Sequence, residues 1–260
     1  VGGIVRRVLT ALARLVVPVA CPGCGRHDVR WCASCARTAA GGAPWRAEGG
    51  APRLDRCDGR APLPVWALAD GTDDVRAIVV AWKDHGRADL DGLFRPALTR
   101  AAARTAPRLA AVATGGPLAV VPVPSSPGAR WRRGREPVRS LAAAVARGLT
   151  AGGVRAEPVA ALRRRPSRDQ VGLGARERGR NLASALVLRE RPSRAVRRCV
   201  LVDDVLTTGA TLAAAEEVLE RAGRAVVGAF VLAATPPPGG SGRRATTDPR
   251  QQFTLGSPWG

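Results

Sequence analysis

Apolar residues along this chain fall alternately into short unbroken runs and into longer stretches with helical spacing. The runs at 65–69 (VWALA), 118–123 (LAVVPV), 199–202 (CVLV) and 225–232 (AVVGAFVL) are too brief for helices, and they are continuous rather than alternating. Strands buried on both faces read this way. Between them, helical periodicity predicts helices at 73–82, 90–103, 137–150 and 212–222, the last carried by Leu212, Ala215, Val218 and Leu219. Shorter strands are expected near 157–160 and at 186–188. Strand alternating with helix in this order predicts an α/β fold built on a parallel twisted sheet.

The run at 199–202 ends on two acids, Asp203 and Asp204, and a turn of Val205, Leu206, Thr207, Thr208, Gly209, Ala210 and Thr211 then opens a helix. A turn at a helix N-terminus aims unpaired N–H groups and the positive end of the helix dipole at one spot, which suits a phosphate. Thr207, Thr208 and Thr211 add hydroxyl donors, and Gly209 lacks the Cβ that would hold a phosphate off the backbone. Two adjacent carboxylates accept hydrogen bonds from a diol such as that of a ribose. The chemistry points to a sugar phosphate. No GK[ST] follows, which excludes a Walker-type P-loop. The segment VLVDDVLTTGAT resembles the phosphoribosyl pyrophosphate (PRPP) motif of type I phosphoribosyltransferases. That resemblance implies that Asp203 and Asp204 hold the ribose hydroxyls and that the loop holds the 5′-phosphate.

Near the other end, residues 4–17 set Val5, Val8, Leu9, Leu12, Leu15 and Val16 at helical spacing, with Arg6, Arg7 and Arg14 between them. An amphipathic helix is expected within 1–20. A signal peptide is the rival reading, but Arg14 interrupts the apolar run and Pro18 suits a cleavage site poorly. No run reaches the roughly 20 apolar residues of a membrane span. A cytoplasmic protein is expected.

Two CxxC pairs follow, Cys21 with Cys24 and Cys32 with Cys35, separated by seven residues. Each pair offers two thiolates on one tight turn, with Gly23 and Gly25 to permit it, and together they supply the tetrahedral sulfur set that Zn²⁺ favours. Disulfides are the alternative, set aside because a reducing compartment is expected. His27 could replace one ligand, although all four cysteines are present. Cys57 and Cys199 take no role from the sequence. Residues 38–64, rich in Ala, Gly, Pro and Arg without periodicity, read as a linker between a module at 21–37 and a domain at 65–235; 236–260 reads as a disordered tail.

The formal charge of +20 comes from 40 arginines and one lysine against 21 acids. An excess of Ala, Arg, Gly and Pro with no Tyr or Met also marks base-composition bias, which favours Arg over Lys whatever the function. The charge is uneven all the same: from 124 to 198, 19 arginines stand against five acids, +14 of the total. That region is expected to meet anions. Within it Arg130, Arg132, Arg133 and Arg135 lie in a loop after the strand at 118–123, at the carboxyl ends of the strands where ligands bind in α/β folds, and could grip a pyrophosphate or a nucleic-acid backbone. Trp131 among them suits either base stacking or hydrophobic anchoring. Lys83, the lone lysine, is a candidate for a site that needs a compact ammonium, or it escaped the bias by chance.

In order, the four cysteines, Lys83, VPVP with its Arg-Gly loop, DQVGL with ARERGRN, and VLVDDVLTTGATL are together similar to the ComF family. The resemblance covers roughly 21–232. It implies a zinc module joined to a type I phosphoribosyltransferase domain, Mg²⁺ bound with PRPP, and Lys83, Asp203 and Asp204 at the reaction centre. Some members act in DNA uptake during natural competence, so it also extends the expected partners to single-stranded DNA and uptake proteins. One departure stands out: where the family reads RGFNQ, this chain has Arg133, Gly134, Arg135, Glu136 and Pro137. Two functions follow from these readings: an enzyme that displaces pyrophosphate, or an accessory protein that holds PRPP and single-stranded DNA without turnover.

Overall fold

The computed structural model describes residues 19–55, 59–113, 116–125, 134–165, 186–189 and 197–236. The helix expected at 4–17, Cys57, loop residues 130–133, the DQVGL and ARERGRN motifs at 169–181 and the tail from 237 lie outside the described residues. In chain order the elements are α1 (Ala33–Ala40), β1 (Trp45–Arg46), β2 (Val65–Asp70), α2 (Asp73–Lys83), α3 (Asp91–Ala110), β3 (Leu118–Pro122), α4 (Pro137–Ala151), β4 (Ala156–Pro158), β5 (Leu162–Arg164), β6 (Leu186–Leu188), β7 (Arg198–Val202), β8 (Val205–Leu206), α5 (Ala210–Arg221) and β9 (Ala225–Ala234).

The sheet runs β1-β2-β9-β7-β3-β4, with β8 also on β9, and every pairing is parallel except β1 against β2. The expected α/β class with a mostly parallel sheet is the observed one. Because successive side chains of a strand point to opposite faces, the central strands feed two cores. Trp66, Leu68, Val120, Val200, Val202, Phe230 and Leu232 pack with α1 to α4 on one face. Val65, Ala67, Ala119, Val121, Cys199, Leu201 and Val231 pack with α5 and the separate antiparallel pair β5-β6 on the other. Both faces are covered, which is why these runs carry no polar alternation.

Residues 38–64 correct the linker expectation. The first three close α1, β1 adds an edge to the sheet through Trp45↔Ala67 and Arg46↔Trp66, and 3₁₀ turns at Glu48–Gly50 and Pro52–Leu54 follow. Ala47, Ala51, Leu54 and Leu63 are buried. Their apolar residues are sparse and aperiodic, so they leave no pattern, yet they close the core beside α5. Helix α3 likewise runs to Ala110 rather than 103, because Thr105, Ala106 and Leu109 continue its buried stripe. Among the described residues no helix is long and apolar enough to cross a membrane.

Helices α3 and α4 meet backbone to backbone. A Cβ on Gly148 would lie 2.2 Å from the Thr99 carbonyl oxygen, and one on Gly152 would lie 2.4 Å from Ala106 Cβ. In an isolated helix Gly148→Ala would gain about 1 kcal/mol of propensity. Forcing two packed helices apart costs about 1–3 kcal/mol and is expected to prevail. Urea unfolding should therefore give a lower midpoint for Gly148→Ala than for the parent; an unchanged or raised midpoint would show that the two helices can separate freely.

Candidate functional site

Strand β7 does not simply stop at the acids. After Asp203 and Asp204 the same line resumes as β8, and β9 pairs with both segments. Across the gap Asp203 N–H donates to the Phe230 carbonyl (3.0 Å), and the Asp204 carbonyl accepts from Leu232 (3.0 Å) and Ala233 (3.3 Å). The carboxylates bond locally: Asp204 N–H donates to Asp203 Oδ1 (2.8 Å) and Val205 N–H to Asp204 Oδ1 (2.9 Å). Both acids are buried at the C-terminal rim of the sheet. Burial, then the adjacent Asp204 charge, pushes Asp203 well above the ordinary carboxylate range, with Lys83 opposing.

Lys83 is the last residue of α2, and its Nζ forms an ion pair with Asp204 Oδ2. Burial pulls its pKa down, but the charges of Asp204, Asp203 and Asp84 outweigh burial and leave it above the ordinary lysine value. The lysine stays a cation. Next to it, Trp82 Nε1 donates to Asp91 Oδ1 (2.6 Å), and Trp82 packs edge-on against Phe94. Arg135 Nη2 donates to the Trp82 carbonyl (3.4 Å) and to Asp91 (3.3 Å), with its guanidinium 5.6 Å from the Trp82 ring centroid. Arg135 thus braces the end of α2. Glu136 pairs with Arg139, and Pro137 takes the first turn of α4, where its missing N–H is harmless. Arg130 and Arg133 lie outside the described residues.

Beyond the acids the predicted turn divides. Val205 and Leu206 form β8, and Leu206 is buried in the core. Thr207 and Thr208 are exposed, Ala210 and Thr211 are half-buried, and α5 starts at Ala210. Among the described residues nothing accepts from the N–H of Thr207 or Thr208, while Ala210 N–H reaches Thr208 Oγ1 only at 3.4 Å. Gly209 sits in the left-handed region (φ 82°), and a Cβ there would lie 2.7 Å from Leu54 Cγ and 3.2 Å from Ala51 Cβ. Its glycine is therefore demanded from behind the turn, by the 3₁₀ segment whose Arg53 N–H also bonds the Thr208 carbonyl (2.9 Å).

The four cysteines converge. Their sulfurs all lie within 4.8 Å of one another, close to the roughly 3.8 Å edges of a tetrahedron with 2.3 Å zinc–sulfur bonds. Cys32 N–H donates to Cys21 Sγ and Cys35 N–H to Cys32 Sγ, each at 3.4 Å, and Cys32 also caps α1. Burial pushes the Cys21 thiol up, but N–H groups of Cys24, Cys32 and Gly23 reverse this and bring it down to about 6. N–H and thiol contacts from Cys35 lower Cys32, whereas burial raises Cys35. The donor set fits zinc. His27 forms only a backbone bridge to Ala20, with an exposed side chain. Cys199 is a core thiol, pushed up to about 11 by burial.

The cysteine module is fastened to α2 at two points flanking Lys83. A Cβ on Gly23 would touch both Cys35 Sγ (2.9 Å) and Ile78 Cδ1 (3.1 Å), so the module rests on the middle of the helix. Past its end, Arg87 donates to the carbonyls of Ala20 (3.1 Å) and Arg30 (2.7 Å) while Asp89 holds its other edge (2.9 Å). Reasoning from sequence missed Ala51, Leu54, Arg87 and Asp91. None carries a motif, and only the Arg87–Asp89 spacing hints at a pair.

A phosphoribosyl transferase domain model matches residues 138–251, from α4 past β9, a span that includes Asp203 to Thr211. No curated protein matches the chain. The domain supports a function of the phosphoribosyl-transfer type, and its match begins after both Lys83 and the cysteines.

Two outcomes are expected at this site. Asp203 favours its protonated form in the fold, so the folded protein binds more protons than the unfolded chain, and stability falls as pH rises from the unfolded carboxylate pKa through the raised folded one. Asp203→Asn should consequently melt higher than the parent at pH 7.5, with the gap closing toward pH 4; a variant that melts lower at every pH would refute this. Metal analysis should find about one zinc per chain. Stripping it with a chelator should lower the melting temperature, and a metal-free preparation that melts unchanged would rule the site out.

Proposed function

We propose that the sheet rim binds PRPP with Mg²⁺ and transfers its phosphoribosyl group to an acceptor with release of pyrophosphate. The observation that carries this reading is the meeting, at one strand end, of two adjacent buried carboxylates and an open Thr-Thr-Gly-Ala-Thr turn at a helix N-terminus. Asp203 and Asp204 take the ribose hydroxyls, and the 207–211 turn takes the 5′-phosphate through free N–H groups and the threonine hydroxyls. Lys83 already touches Asp204, and its fixed charge lies beside the acids that would hold the ribose. In the reaction the bond from the anomeric carbon to pyrophosphate breaks, a bond to the acceptor forms, and the acceptor gives up a proton. Mg²⁺, when bound, adds positive charge that steadies the leaving pyrophosphate, and Asp203 and Asp204 are the hard oxygen donors nearest to hand.

The zinc-type cluster ahead of this domain, in the motif order described, supports a ComF-like identity. On that reading the protein works in the cytoplasm and serves DNA uptake. A second reading, a PRPP- and single-strand-binding accessory without turnover, is favoured by one observation: Arg135 is engaged in bracing Trp82 and Asp91 rather than free in the cleft. Retained Mg·PRPP binding with no pyrophosphate release across a broad panel of acceptors would favour it.

Calorimetric titration tests the pocket. Mg·PRPP is expected to bind the parent, to bind Lys83→Ala about tenfold more weakly for the loss of one charge-assisted contact, and not to bind Asp203→Ala/Asp204→Ala measurably. A parent that binds no Mg·PRPP would refute the proposal.

A further inference from the structure

Arg164 is the last residue of β5, whose Leu162 lines one cleft with Val123, and Val123 N–H bonds the carbonyl of Val202, the residue before Asp203 (2.8 Å). The Arg164 Nε is buried and, among the described residues, donates to no acceptor. Burial pulls its pKa down, and the charge of Asp203 acts against that pull, so the two groups feel each other. Asp203 is a poor counter-ion, being itself driven toward the neutral form and already accepting the Asp204 N–H. Among the described residues lining the cleft beside β5, which include Pro122, Val123, Ser125 and Leu162, the one carboxylate is Glu136, and that residue is paired with Arg139. A guanidinium N–H withdrawn from water without an acceptor is costly to keep.

The two sides of the sheet give this arginine its meaning. Lys83 arrives on α2, which packs on one face, while Leu162 of β5 belongs to the core on the other. Lys83 thus reaches the acids from one face, and β5, which ends on Arg164, packs on the other. A displacement at carbon needs the same layout, with the leaving anion on one side of the reacting atom and the incoming group on the other.

We infer that Arg164 holds an oxyanion of the substrate on the face opposite Lys83: a carboxylate or phosphate carried by the acceptor, or a phosphoryl group of pyrophosphate. This rests on the phosphoribosyl-transfer reading and narrows it to a reaction that brings an anion to that face. Planar, bidentate recognition is what a guanidinium provides and an ammonium does not.

The test compares the full chain with Arg164→Gln and Arg164→Lys, each first checked by melting temperature. Calorimetry with Mg·pyrophosphate and with Mg·PRPP reports one source of the anion. Ligand-observed NMR with benzoate on the PRPP-loaded protein, against neutral benzamide, reports the other. An about tenfold loss of pyrophosphate affinity in Arg164→Gln assigns the arginine to the leaving group. Unchanged pyrophosphate and PRPP binding with loss of the benzoate signal assigns it to the acceptor, and Arg164→Lys should recover only part of either effect. If Mg·PRPP binds the parent and no probe distinguishes Arg164→Gln from it, the inference is wrong while the proposed function stands. If the parent binds no Mg·PRPP, the underlying reading fails instead.

Discussion

Neighbouring carboxylates buried at the end of a strand repel each other and have both lost water, so the fold must bring a cation to them. Lys83 is that cation, and much of the surrounding architecture holds it there. Trp82 is fixed by Asp91, Phe94 and Arg135, and the cysteine module clasps α2 on either side of the lysine through Ile78 and Arg87. A lysine side chain loses considerable rotamer freedom when confined. Seating its backbone firmly leaves only the side chain itself to be ordered.

Strand β9 supplies the other half of the arrangement. It accompanies the chain through β7, past the two acids and into β8, so the backbone at the acids stays registered even though the strand pairing is broken. The turn beyond is supported from below by Leu54 and Ala51, against which Gly209 lies without room for a side chain. Carboxylates and turn are therefore held at a fixed spacing by parts of the chain far apart in sequence.

The central strands, the main helices, the four-cysteine cluster and the Asp203–Thr211 segment could be read from the sequence because each has a local signature: an unbroken apolar run, a 3.6 spacing, a CxxC pair, an acid pair before hydroxyls. The contribution of 45–54 could not, since Ala47, Ala51 and Leu54 act through tertiary contacts that leave no period. Close approach of a ligand is one reason for a glycine at 209, and the structure supplies another on its opposite side. Arg135 looked like one free cation among several, but its partners, Trp82 and Asp91, lie more than forty positions away in the chain. In the sequence Lys83 stands out by its rarity alone, and folding joins it to Asp204, which belongs to a separate motif.

Gly23 fits between a cysteine sulfur and Ile78, and Cys21, Cys32 and Cys35 share one apolar cluster with Trp82 and Phe94. The cysteine segment therefore has no interior of its own. Severing the polypeptide between α1 and β2 would bare an aliphatic and indole surface around α2 and strip the cysteine segment of the helix it packs on. Recombinant fragments cut there should aggregate rather than report on separate activities, and grafting this metal-binding segment onto another protein would require carrying the outer face of α2 with it.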